Sequence, residues 1–212
     1  MSSARDVTVS KSAIPDGAAE QATLALLNAK VVPDGITNAL RTIDYGHHEI
    51  HSGRTYRVQG YTASATNLIV AFKVGDQARQ PHMVFEWVAE AKGSLSVYEG
   101  RTWTTNTGTR RSVKQSNRNS ANTSILEGDG NGAGGFVANE VVIDPTGQAA
   151  GTLISMKAWF AAKNAGGDSG SRRAEIVLKP NTTYSFEMAP TGVASGMQVR
   201  LEWYEHTPGS YT

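Results

Sequence analysis

Residues His82–Gly100 read HMVFEWVAEAKGSLSVYEG. Met83, Phe85 and Trp87 occupy every second position, and so do Leu95 and Val97, between Ser94 and Ser96. A period of two is the mark of a strand with one apolar face, because successive side chains point to opposite sides. The signature recurs on both sides of this stretch. "TYRVQGYTA" alternates Tyr56, Val58 and, beyond Gly60, Tyr61, and "TNLIVAFKV" alternates Leu68, Val70 and Phe72. "EVVIDP", "TLISMKAWFA", "RRAEIVLKP", "TTYSFEMAP" and "MQVRLEWYEH" continue as short apolar or alternating runs between turn residues. Such a series predicts an all-β chain, an antiparallel β-sandwich of jelly-roll-like type. The expected body runs over residues 43–212. Within it "RRAEIVLKPNTTYSFEMAP" reads as a hairpin turning at "PNT", with Ile176 and Leu178 on one arm and Tyr184, Phe186 and Met188 on the other. Arg101–Gly135 is polar or Gly-rich and reads as long loops or as an excursion at one end of the sandwich.

Residues 1–42 differ. "PDG" occurs at Pro15–Gly17 and at Pro33–Gly35, each a turn signal, and "AAEQATLALLNAK" between them supports one short helix, with Leu24, Leu27 and Val31 on one face. The segment has no aromatic residue. It reads as an N-terminal arm, extended or partly helical.

Composition narrows the function classes. Of 212 residues 20 are basic and 19 acidic, so the formal net charge of +1 offers no field to draw in nucleic acid or an anionic membrane surface. There is no cysteine, which removes disulfides, thiolate nucleophiles and Cys-based zinc sites. No apolar run approaches the roughly 18 residues of a membrane span. "MSSARDVTVSKSAIPDG" lacks the apolar core of a signal peptide, so synthesis in a cytoplasm is expected.

The densest chemistry lies in "IDYGHHEIHSG", where His47, His48 and His51 stand beside Asp44, Tyr45 and Glu49. Read as a strand, it puts Asp44 and His48 on one face and Tyr45, His47, Glu49 and His51 on the other. His47 and His51 would then lie about 13 Å apart at roughly 3.3 Å per residue, too far to share a metal ion. The zinc-protease order, His-Glu-x-x-His, is absent. The last strand, "LEWYEHTP", again combines acid, aromatic and histidine. The expectation is therefore a structural polar seam of Asp44, His47, His48, His51, Tyr204 and His206, joining the first and last strands, with no catalytic residue, metal or cofactor. "RRSVKQSNR", with Arg110, Arg111, Lys114 and Arg118, is the one basic cluster; with Trp103 it forms a candidate partner-facing loop. "GDGNGAGG" lacks both a P-loop lysine and the spaced carboxylates of a calcium loop. "GDSGS" lacks the partner motifs of a trypsin-like protease.

"TNALRTIDYGHHEIHSGRTY" (Thr37–Tyr56) and "RLEWYEHTP" (Arg200–Pro208) resemble the two ends of a family of tailed-bacteriophage structural proteins, which carry an IDY-x-HHEIH-x-G segment early and a WYEHT-type strand at the close. "LKPNTTY" is similar to their usual penultimate hairpin. Members usually have Glu where this chain has Gly46. The resemblance covers about a third of the chain. It implies a virion protein, made in the host cytoplasm, that decorates (cements) the outside of the phage head. Its partner would be the major capsid protein, with self-association, most simply as a trimer. Two other classes compete. One is a carbohydrate- or receptor-binding module using Trp87, Trp103 or Trp159; the other is a metal enzyme using His47, His48 or His51.

Overall fold

The structure, a computed structural model, describes residues 49–63, 66–129, 135–160, 165–168, 175–191 and 196–207. The arm, residues 1–42, and the seam residues Asp44, His47 and His48 lie outside these.

The chain is all-β. The long strands are β1 (Thr55–Thr62), β2 (Leu68–Val74), β3 (Gln80–Ala89) and β4 (Gly93–Glu99), then β10 (Thr152–Trp159), β13 (Thr183–Pro190) and β14 (Met197–His206). β11 (Ala165–Asp168) and β12 (Ile176–Val177) are short pieces that both pair with β3. Between β4 and β10 lie β5 (Thr109–Ser112), β6 (Lys114–Gln115), β7 (Leu126–Asp129), β8 (Phe136–Ala138) and β9 (Glu140–Ile143).

Two antiparallel sheets result. One has the order β11-β3-β14-β1-β6, with β12 also on β3; the other runs β10-β4-β13-β2-β7-β8, with β9 beside β2 and β5 beside β9. Set β5–β9 aside and treat β11 and β12 as one interrupted strand. The remaining strands, renumbered in chain order, then lie 1-8-3-6 and 2-7-4-5. That is the strand order of a jelly roll, the predicted class, with β6 added beside β1 and β5 and β7–β9 added on the β2 side of the second sheet.

The predicted alternation places the core. Tyr56, Val58, Met83, Phe85, Trp87, Val199, Leu201 and Trp203 line the inner face of the first sheet, and Leu68, Val70, Phe72, Leu95, Val97, Tyr184, Phe186 and Met188 that of the second. Phe186 ties the layers together. Its ring meets Phe85 of the opposite sheet edge-on at 5.5 Å and lies 6.2 Å from Phe72 of its own. Tyr61, expected on the apolar side of β1, is exposed instead: the strand's inward position falls to Gly60, whose absent side chain leaves room for Val70 and Leu68.

Two expectations fail here. The hairpin of "RRAEIVLKPNTTYSFEMAP" does not form. Ile176–Val177 pair with Met83 and His82 in the first sheet, whereas β13 lies between β2 and β4 in the second. The chain changes sheets across Lys179–Thr182, and "PNT" is the crossing rather than a hairpin turn. Alternation cannot distinguish the two cases, because inward positions face the same core from either sheet. Nor is Arg101–Gly135 all loop. Its basic run spans β5 in the second sheet and β6 in the first, with Val113 buried between them. One short polar stretch thus passes from sheet to sheet at this edge, too briefly in each to show a period.

Candidate functional site

The end of β14 carries the chemistry predicted for it, with different partners. Glu205 points inward and is fully buried. Its Oε1 accepts hydrogen bonds from Ser124 Oγ (2.7 Å), the Ile125 amide (3.0 Å) and Trp203 Nε1 (3.1 Å), while Arg79 Nη1 lies 3.2 Å from Oε2. Ser124 and Ile125 lead into β7 of the opposite sheet, and Arg79 precedes β3. One carboxylate therefore binds the last strand to segments of both layers. Burial pushes its pKa up, against the pull of those donors and of Arg79. Tyr56 stacks on Trp203 nearby, and burial, then the Glu205 charge, push its phenol up to about 12.

On the outer face of the same strand end, Tyr204 lies opposite His82 in the register. Tyr204 OH donates to Glu175 Oε1 at 2.9 Å, and His82 Nδ1 contacts the same oxygen. The His206 ring centroid is 4.2 Å from that of His82. Tyr204 and His206 of the expected seam are thus brought together, but with His82 and Glu175, which period-2 reading treated as ordinary strand and linker residues. Their meeting follows from the β3–β14 register, which no local pattern announces. Among the described residues no group of three His, Asp or Glu is placed to hold a metal ion.

His51 does not join them, and the strand predicted for its segment is corrected over Glu49–His51. These residues form a helical turn: the Gly53 amide donates to Ile50 O (3.1 Å), the Arg54 amide to Glu49 O (3.2 Å), and Ser52 Oγ to Glu49 O (2.8 Å). Glu49 is buried and His51 exposed, so they do not share a face as a strand would require. Gly53 closes the turn with φ 70, and a Cβ there would sit 2.3 Å from Ser120 Oγ. Gly53 is what lets the chain stop turning and enter β1.

His206 should make stability depend on pH. Burial first, then His82 and Arg54, lower its pKa, while Glu49 and Glu175 oppose them. Tyr204 completes its surroundings. A base whose folded pKa is lowered contributes stability above its unfolded value of about 6.5, and that stability is lost as the pH falls through the folded value. Chemical denaturation between about pH 7.5 and 5 is expected to show stability declining by less than one proton's worth, about 1.4 kcal/mol per pH unit. His206→Gln should flatten that slope; an unchanged slope would assign it to other groups.

The basic residues Arg110, Arg111, Lys114 and Arg118 are all exposed. Arg110 pairs with Glu140 of the neighbouring strand β9. Lys114 lies in β6 beside Arg57 of β1. They therefore project from a sheet edge rather than from one free loop. Trp103 is half-buried and meets Phe136 edge-on at 6.4 Å. Trp87 and Trp159, the other two tryptophans offered for ligand stacking, are 7 % and 6 % exposed and stack on each other with centroids 4.2 Å apart, so they serve the core.

A patch that alternation did not flag lies on β10, the edge strand of the second sheet. Leu153, Ile154, Met156 and, just beyond the strand, Phe160 are exposed, Met156 to 57 % and Phe160 to 88 %. The run looked like a core strand because it is apolar; its pairing only with β4, and a bulge between Leu153 and Ser155, leave much of it outside.

No family model, curated protein or solved structure matches the chain.

Proposed function

We propose that the chain is a structural virion protein, a decoration protein that binds the major capsid protein on the outside of a tailed-phage head and stabilises the shell. The reading rests on the resemblance of the two end motifs, and one structural observation supports it. The described parts of the two motifs are neighbours in space. β1 and β14 pair along their length, Thr55 opposite Tyr204 and Tyr56 opposite Trp203, and the Glu205 amide donates to Arg54 O at 3.0 Å. Segments almost 150 residues apart thus form one unit, as a shared family signature should. A non-catalytic role agrees with side chains engaged in holding sheets together. The exposed apolar residues of β10 support self-association, a trimer in the simplest lattice arrangement. Apolar edge strands are normally covered, and a closed symmetric contact covers them. Binding to assembled lattice, and not to free capsid protein, stabilises the shell by mass action.

The arm, residues 1–42, is assigned the docking role, since its sequence has no aromatic residue and little to build a core with. Full-length protein added to heads lacking it is expected to cosediment at saturating occupancy and to raise their resistance to heat. A version beginning after residue 42 is expected to keep its β circular dichroism and lose binding. Full occupancy by the shortened chain would remove the arm as the anchor; no binding by the intact chain would overturn the decoration role.

A further inference from the structure

We propose that the outer face of the eight-stranded sheet carries a binding site for a neutral saccharide, formed by Asp129, the Asn106–Arg110 segment and an aromatic rim of Phe136 and Trp103. The site stands independently of any role on a capsid.

The frame comes first. The chain leaving β4 and the chain entering β10 run together over this face. Thr102 bridges to Ala149, the Thr104 amide donates to Thr146 O at 2.9 Å, and the Thr146 amide donates to Thr107 Oγ1 at 2.9 Å. Gly108, at φ 79, lies so close to the next strand that a Cβ would be 2.4 Å from Ile143 O. Asn106 takes a left-handed conformation, φ 60, which aims its amide at Asp129 Oδ2, 2.7 Å away. The result is a depression of about 300 Å³ lined by Asn106, Thr107, Gly108, Thr109, Arg110 and Asp129. That is the lower end of the size range for small-molecule sites.

The chemistry follows from what the lining leaves over. Asp129 is 5 % exposed, and only one of its carboxylate oxygens has a protein donor among the described residues. The other oxygen is open to solvent, so a ligand hydroxyl that displaces water there finds a charged acceptor. Anions are disfavoured. Among the described residues the nearby cations are already engaged, Arg110 with Glu140 and Lys73 with Glu127 at 3.7 Å and with one face of the Phe136 ring, and neither pairs with Asp129. A hard cation is poorly served as well, since calcium requires six to eight oxygens and one carboxylate stands alone here. Hydroxyl groups fit: they donate to Asp129 and accept from Thr109, since the Thr107 hydroxyl already donates to Thr104 O at 2.6 Å.

The aromatic rim supplies the other half. Phe136 lies directly opposite Asp129 in the β7–β8 pair, so both side chains leave the sheet on one side. Phe136 is 43 % exposed, and Trp103 braces it from the side. A pyranose has an apolar C–H face and an equatorial ring of hydroxyls. The Phe136 ring beside a buried carboxylate matches both.

The reporter is built in. Trp87, Trp159 and Trp203 are at most 7 % exposed, so a ligand-dependent change in tryptophan fluorescence reports Trp103. The full-length protein is applied to an array of neutral and sialylated glycans, and bound neutral glycans are then titrated by fluorescence and calorimetry. The expected result is saturable binding of neutral glycans with Kd on the order of millimolar or tighter. Phe136→Ala, with unchanged circular dichroism, is expected to weaken it at least about threefold. Asp129→Asn, which keeps an acceptor for the Asn106 amide, is expected to weaken it further. An array with no neutral glycan bound, preference for sialylated glycans, or Phe136→Ala binding as tightly as the parent would each overturn the proposal.

Discussion

Replacing Glu205 by alanine is expected to destabilise the protein by about 3–5 kcal/mol, the usual result of removing one member of a buried charged network. The change leaves Ser124 Oγ, the Ile125 amide and Trp203 Nε1 without their acceptor and Arg79 without its partner. Glu205→Gln keeps an oxygen for the three donors and removes the charge, so its cost should be smaller, about 1–3 kcal/mol. The pair of variants also has a pH signature. Burial raises the folded pKa of Glu205 above its ordinary value of 4.5. A carboxyl shifted in that direction contributes stability that is fully present below the unfolded pKa and is lost as the pH rises through the folded one. Glu205→Gln should therefore recover stability relative to the parent as the pH is raised above about 4.5, opposite in sense to the acid loss expected from His206. Urea denaturation across that range reads both. A parent and Glu205→Ala of equal midpoint would show that the network holds nothing together.

Phe186→Ala is expected to cost a similar amount, about 3–5 kcal/mol, by a different route. Phe186 is fully buried and touches an aromatic of each sheet, Phe85 across the interface and Phe72 beside it. Truncation removes transfer free energy and leaves a cavity that two strand layers, pinned by their ladders, cannot close. Phe186→Leu retains most of the volume and should cost under about 1.5 kcal/mol. Midpoints should shift while the denaturant slope stays constant, since the same surface is exposed on unfolding. Loss of less than about 1 kcal/mol in the alanine variant would mean that the sheets repack freely at this point.

The two effects differ in how far the sequence foretold them. Phe186 sits in the run Tyr184, Phe186, Met188, and alternation alone assigned it to the core. The polar end of β14 was legible as unusual from its mixture of acid, aromatic and histidine, yet its partners were not. Asp44, His47 and His48, the expected partners, lie outside the described residues, and His51 sits exposed on a turn. His82 and Arg79, Glu175, and Ser124 come from three other segments. The same holds for the saccharide site. Trp103 was offered for ligand stacking, but Asp129 and Phe136 became a pair only through the β7–β8 register.

What the sequence determined by itself is therefore an all-β chain, the principal strands and, outside β10 and Tyr61, which side chains of the long strands face inward. Those properties are local, because the pleat sends neighbouring side chains to opposite faces whatever the strand lies beside. Which strand lies beside which is non-local. β12 leaves the hairpin it resembles and joins β3, β10 ends at an edge with its apolar residues outside, and Glu205 meets donors from both layers. Each is decided by the competition among many apolar strands for places in two sheets, a contest settled by total burial and by satisfied hydrogen bonds over the whole sandwich rather than by any one segment.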